Sequence, residues 1–284
     1  MVKKVAIAVA ILFAIVCAVG IWFFVSFWRS MERGEERARQ VWRDQASGRA
    51  YFEQQPALLA VAQAIAANDP QAIRTTAKAL PDLNTPTGED GATLLYFAVS
   101  QSWLRRELVD SVKTLLELGA DPNHTNGGRN SYAMAAAVHS TVDVLRAMLD
   151  AGGNPNGRDE FGRPIVCMTW YLGYHKAEAR SRLALLLDRG ADINSVMPEN
   201  DGDYSGYSLL LFRLRSAPED PEAYADAQFL LERGADPSLA ARDGMTLAKR
   251  LTGARETYAR QNTQSPAQFT ALCNWATEHG IAIQ

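Results

Sequence analysis

One eight-residue phrase occurs four times in slightly different spellings: Leu116-Glu-Leu-Gly-Ala-Asp-Pro-Asn123, Leu149-Asp-Ala-Gly-Gly-Asn-Pro-Asn156, Leu187-Asp-Arg-Gly-Ala-Asp-Ile-Asn194 and Leu231-Glu-Arg-Gly-Ala-Asp-Pro-Ser238. The phrase reads as a helix end, a glycine at a left-handed position, and an Asp/Asn-Pro turn. The glycines are Gly119, Gly152, Gly190 and Gly234, spaced 33, 38 and 44 residues apart. A helix-stop-turn unit at such a period predicts a solenoid, in which each unit buries its apolar face only against its neighbours. The longer spacings read as the same unit carrying insertions of 5 and 11 residues.

Each unit opens on a glycine followed by a short apolar helix. The openings are Asp90-Gly-Ala-Thr-Leu-Leu-Tyr-Phe-Ala98, Gly128 to Ala136, Phe161 to Cys167, Gly206 to Phe212 and Asp243-Gly-Met-Thr-Leu-Ala248. The first and last resemble the Thr-Pro-Leu-His-x-Ala opening of the ankyrin repeat family, with Tyr96 and Lys249 where that family usually has His. The resemblance covers residues 56–284. It implies an all-α solenoid of about six helix pairs joined by β-turn fingers, with degenerate terminal pairs at 58–84 and 246–280 shielding the ends.

Composition narrows the function. The first 50 residues hold 8 Lys/Arg and 4 Asp/Glu; the remaining 234 hold 21 and 28, a net of −7. An acidic repeat region argues against nucleic acid as ligand, because phosphate binding requires clustered cations. Of the three cysteines, Cys17 lies in an apolar run, and Cys167 and Cys273 fall in different helix pairs, too far apart along a stack for a disulfide.

Residues 5–28 carry no charge and are long enough to cross a bilayer as a helix. Trp22 and Trp28 suit an interfacial belt. Bulky Phe23, Phe24, Phe27 and Trp28 stand where signal-peptide cleavage needs small residues, and Val16 stands where a lipidated Cys17 would need one, so the segment reads as a retained single span. The domain reading is a cytoplasmic tail at 1–4, a transmembrane helix at 5–28, a charged spacer at 29–55 and the repeats at 56–284. Arg29, Arg33, Arg37, Arg39 and Arg43 outnumber the cations before the span and favour a cytoplasmic repeat domain. A short N-terminal tail is usually retained inside, however, and long domains translocate largely regardless of flanking charge. The expectation is a bacterial inner-membrane protein with its repeats in the periplasm. Residues 29–50 read as an ordinary solvated juxtamembrane helix rather than a lipid-binding patch, since Glu32, Glu35 and Glu36 dilute attraction to anionic lipid.

Catalytic signatures are scarce. No His-Glu-x-x-His, Cys-x-x-Cys, Gly-x-Ser-x-Gly or phosphate-cradling loop occurs. Asp201-Gly-Asp203 resembles part of a calcium loop without its later Glu, and reads as a solvated turn. Cys167 with His175 is a conceivable nucleophile pair, but a buried core cysteine is the reading adopted. No enzyme activity, cofactor, metal or small-molecule substrate is expected.

In the family resembled, partners meet the turn fingers and the exposed edges of the inner helices. The implied contacts are Asn123, His124, Asn126 and Arg129 on the first finger, and Asn156, Arg158, Glu160, Phe161 and Arg163 on the second. The lengthened third finger offers Met197, Glu199, Asp201, Asp203 and solvent-facing Tyr204 and Tyr207. The fourth offers Arg242, Asp243 and Met245. Trp103, Trp170 and Tyr171 read mostly as packing, and the insertion Ala217-Pro-Glu-Asp-Pro221 as a projection from another edge. N-terminally anchored bacterial ankyrin proteins of this length resemble the immunity partners of type VI secretion lipase effectors. The resemblance therefore implies a protein partner, a secreted phospholipase effector, neutralised in the periplasm; the alternative is a periplasmic scaffold supporting an enzyme such as a catalase.

Overall fold

The computed structural model describes residues 36, 38–88, 90–170 and 176–283. The expected span 5–28 and tail 1–4 lie outside them, as do Tyr171 and His175. Among the described residues no helix is long and apolar enough to cross a membrane.

A short helix, α1 (Arg49–Phe52), precedes five α-helical pairs. These are α2 (Pro56–Ala66) with α3 (Pro70–Thr76), α4 (Leu94–Gln101) with α5 (Val109–Glu117), α6 (Ala133–Ala137) with α7 (Val142–Asp150), α9 (Leu209–Arg213) with α10 (Glu222–Glu232), and α11 (Leu247–Gln261) with α12 (Ala267–Glu278). The remaining pair, between α7 and α9, departs from expectation. Its inner element is a 3-10 helix, Ile165–Trp170, followed by α8 (Ala179–Asp188). Pro164 fixes the entry and β-branched Ile165 and Val166 follow, a run poorly suited to an α-helix. First members form one layer (α2 on α4, α4 on α6, then the 3-10 helix and α9), and second members form the other (α3 on α5, α5 on α7, α7 on α8).

The repeated residues do identifiable work. Thr93, Thr141, Ser208 and Thr246 are N-caps, their hydroxyls accepting from the N–H three residues on. Gly119, Gly152, Gly190 and Gly234 sit at φ of 98°, 90°, 88° and 94°, where an L side chain is strained. The residue after each returns its N–H to a carbonyl five residues back: Leu115, Met148, Leu186 and Leu230.

The Asp-x-Asn endings form a ladder along the stack. Within each turn the first side chain accepts from the backbone two residues on, as Asp121 does from Asn123 at 2.8 Å. The following Asn then reaches into the next repeat. The Asn84, Asn123, Asn156 and Asn194 amide oxygens accept from the backbone N–H of Asp121, Asn154, Asp192 and Asp236 at 2.7–2.9 Å. Asn123 and Asn156 also donate to the carbonyls of Gly152 and Gly190. Both were expected to contact a partner; the stack itself occupies their amides.

The core is continuous from Phe52 to Ala276. Phe52 is fully buried edge-on against Phe97 at 5.8 Å, so the end of the stretch assigned as spacer belongs to the array. Cys167 and Cys273 are buried free thiols, and burial pushes the Cys167 pKa up to about 12, as suits core packing rather than nucleophilicity. The insertion at 217–221 is pinned to the repeats at two points while Glu219 and Pro221 stay exposed. Ala217 is buried, and Asp220 joins Asp226 in holding the buried Arg213 guanidinium, while Asp226 also takes Arg180.

Candidate protein-binding groove

Isolated bridges close the turn before the first finger (Thr87 with Ala92), the second finger (Arg158 with Pro164) and the long third finger (Val196 with Ser208), and the Ala241 N–H donating to Met245 O at 2.9 Å closes the fourth. Several are tied to their neighbours. Asn126 donates to Gly91 O, Arg163 Nε to Asp201 at 2.7 Å, and Arg242 to Glu199 O at 3.0 Å.

Between the first and second fingers a pocket of about 160 Å³ opens. Tyr96, Trp103 and Tyr132 form its aromatic wall, Ala135, Ala136 and Met168 its floor, and Arg129, Asp159, Glu160, Phe161 and Arg163 its rim, with His139 at the base. Small alanines leave the space that the aromatic rings surround. Trp103 is fixed by its indole N–H donating to Ala136 O at 2.9 Å and by edge contact with the His139 ring at 5.8 Å. Burial, with Arg182 nearby, pulls the His139 pKa down to about 4 and keeps the imidazole neutral. Burial and then the charges of Tyr51 and Glu160 push Tyr96 up to about 12. The Asp159 pKa is raised chiefly by burial, against backbone N–H groups of Arg163 and Phe161 that it accepts from. Phe161 is 54% exposed, with the Arg163 guanidinium 4.9 Å from its ring centroid. The groove can therefore offer aromatic faces and neutral hydrogen-bonding groups inside a charged rim, the makings of a protein interface.

The fingers divide the expected contact residues. Arg129, Glu160, Phe161 and Arg163 converge on the pocket. Arg158 closes its own hairpin, donating to Gly162 O at 2.6 Å. His124 is half-buried, and Met245 packs against the core. Arg242 is exposed on the far side of the third finger. Tyr207 does not face solvent: it is 4% exposed, its hydroxyl donating to Asp243 at 3.2 Å. Tyr204 is half-buried edge-on against Tyr207 and Phe212. The added length of this finger closes over the inner helix, which buries the rings it carries. Met197 is buried too, and Asp201 is no solvated turn: its side chain is 6% exposed and paired with Arg163. Sequence reasoning missed Tyr96, Tyr132, His139 and Asp159 and assigned Trp103 to packing. The available signal was weak: Tyr96 and Trp103 lie within and just after one inner helix and Tyr132 just before the next, at positions that do not repeat, ahead of the small residues Ala135 and Ala136.

The ankyrin repeat family model matches residues 90–127. The protein named PhlB from Serratia liquefaciens is 38% identical over 101 residues, 36% of this chain; the match spans only 41% of that relative. An ankyrin repeat domain from Acinetobacter baumannii AYE superposes with a TM-score of 0.58 at 19% identity, covering 76% of this chain and 97% of that one. The ankyrin repeat domain of Bcl-3, a member of the IkappaB family, gives 0.53 at 21% identity over 72% and 86%. Paired helices, left-handed turn glycines, the asparagine ladder and these likenesses agree: over its described residues, this chain has the all-helical fold of an ankyrin-repeat solenoid.

Proposed function

We propose that this protein is a membrane-tethered binding module whose groove between the first and second fingers receives another protein, and that this partner is a secreted lipase-type toxin neutralised in the periplasm. The observation that carries the binding reading is the pocket itself: a half-exposed Phe161 at the mouth of an aromatic-walled cavity built on rigid repeats. Exposed aromatic residues beside arginine are the usual anchors of interfaces. The uncharged stretch 5–28 supports the tether, and a tether is useful where the toxin attacks the same bilayer.

The test is affinity capture of the detergent-solubilised full chain from its own cells, with mass spectrometry, followed by co-expression with the captured protein. Recovery of a lipase whose toxicity is abolished by this chain, and restored by Phe161→Ala, supports the reading. Recovery of a catalase whose activity rises in the complex replaces it with the scaffold. A fluorescent or phosphatase fusion at the C-terminus reporting only cytoplasm removes the periplasmic assignment.

A further inference from the structure

Residues 38–46 are helical and stand clear of the repeats: every residue from 38 to 43 is exposed. Two of them are large and apolar, Val41 at 57% and Trp42 at 62% exposure. With 100° per residue, Ala38, Val41, Trp42 and Gln45 fall within an arc of about 100°. Arg39 and Arg43 adjoin that arc on the Trp42 side, with Glu36 beyond them, and Gln40 and Asp44 lie on the opposite side, joined by a hydrogen bond of 2.9 Å. The helix is thus apolar on one face with a cationic flank.

Its direction is set by the fold. Gly48, at φ of 80°, turns the chain into α1, and a Cβ there would lie 2.6 Å from that of Ala62, so the elbow is packed against α2. Phe52, one turn later, is fully buried. The opposite end leads toward the uncharged stretch 5–28 through residues 29–37, which span at most about 30 Å in any conformation. An anchored chain therefore holds Trp42 within reach of lipid headgroups.

We infer that helix 38–46 lies along the surface of an anionic bilayer, with Val41 and Trp42 in the headgroup boundary and Arg39 and Arg43 toward lipid phosphates. Trp favours that boundary for its amphipathic ring, and each Arg near an anionic surface gains from its potential. The inference rests on residues 5–28 being a retained span. It revises the expectation of a plain solvated spacer, because the structure leaves the Trp42 ring without the cover of the repeats.

The test uses the full chain in nanodiscs of phosphatidylcholine with or without phosphatidylglycerol, comparing wild type with Trp42→Phe so that the difference spectrum isolates Trp42 from the other five tryptophans. The expected result is a blue-shifted Trp42 emission, quenched by acyl-brominated lipid, with the quenching enhanced by phosphatidylglycerol. Arg39→Gln with Arg43→Gln should remove that enhancement. A water-like emission quenched by iodide but not by brominated lipid, from protein that co-elutes with the discs, overturns the inference and leaves the anchor standing. Failure to co-elute removes the anchor and this inference together. Detergent-solubilised protein that sediments as a dimer, and as a monomer with Trp42→Phe, reassigns the face to a second copy.

Discussion

At the scale of single residues, exposure separates contact from support. Phe161 is half-exposed and Tyr207 is buried, although both belong to fingers and both are aromatic. Phe161→Ala should change unfolding free energy by less than about 0.5 kcal/mol, as for an ordinary surface site, and weaken partner binding at least about tenfold. Tyr207→Ala should cost about 3 kcal/mol by urea denaturation, with Tyr207→Phe far milder. A second prediction concerns His139. Its folded pKa is about 4 against 6.5 unfolded, so the unfolded chain takes up the proton first on acidification. Its contribution leaves stability intact above pH 6.5 and lowers it as pH falls toward 4, by about 2–3 kcal/mol. Carboxylates titrate in the same range, so the measurement is the difference in slope between wild type and His139→Gln. Equal slopes would show an imidazole that is solvated in the fold.

At the scale of elements, the repeated phrase was legible because it is local. Left-handed glycines, N-capping hydroxyls and Asx turns act within five residues, and the spacing of four glycines disclosed the stack. The ladder from one Asn to the next repeat was not legible, since an exposed Asn in a turn looks the same whether a neighbouring backbone or a partner will meet it. Gly153 shows where the pattern misleads. The other repeats have Ala120, Ala191 and Ala235 at this position. A Cβ on Gly153 would lie 2.5 Å from Met134 Sδ and 2.7 Å from Met148 O, and the latter is backbone. Restoring the repeat consensus with Gly153→Ala should therefore destabilise the protein by about 1–3 kcal/mol in urea melts. Stabilisation, the outcome usual for consensus substitutions, would show that Met134 and the turn yield freely.

At the scale of the whole molecule, stability is a chain of neighbour interfaces, and the ends decide solubility. At the far end Phe269 of α12 packs edge-on against Tyr224 at 5.1 Å and Tyr258 at 5.4 Å, covering α10. A chain ending at residue 243 should bare Tyr224 and Leu230, melt several degrees lower and elute partly as aggregate in size-exclusion chromatography. A monomer of unchanged melting temperature would make α11 and α12 an appendage. The exposed pairs along the outer layer, Arg189 with Asp150 and Arg233 with Asp188, are open to solvent and contribute little to this cohesion.

The amino-acid sequence alone determined that the chain stacks: its period, its helix ends, its caps and its acidic repeat surface all follow from short-range chemistry read in order. Tertiary structure decided which finger residues are free. Tyr207, Asn156 and Asp201 look as available as Phe161 on paper, yet the first lies against the inner layer, the second bridges two repeats and the third holds Arg163. The pocket, too, exists only where Tyr96 and Trp103, in and just after one inner helix, and Tyr132, at the start of the next, meet the second finger. Such proximity between Tyr96 and Phe161, far apart along the chain, depends on the rotation from one repeat to the next, which no local pattern encodes.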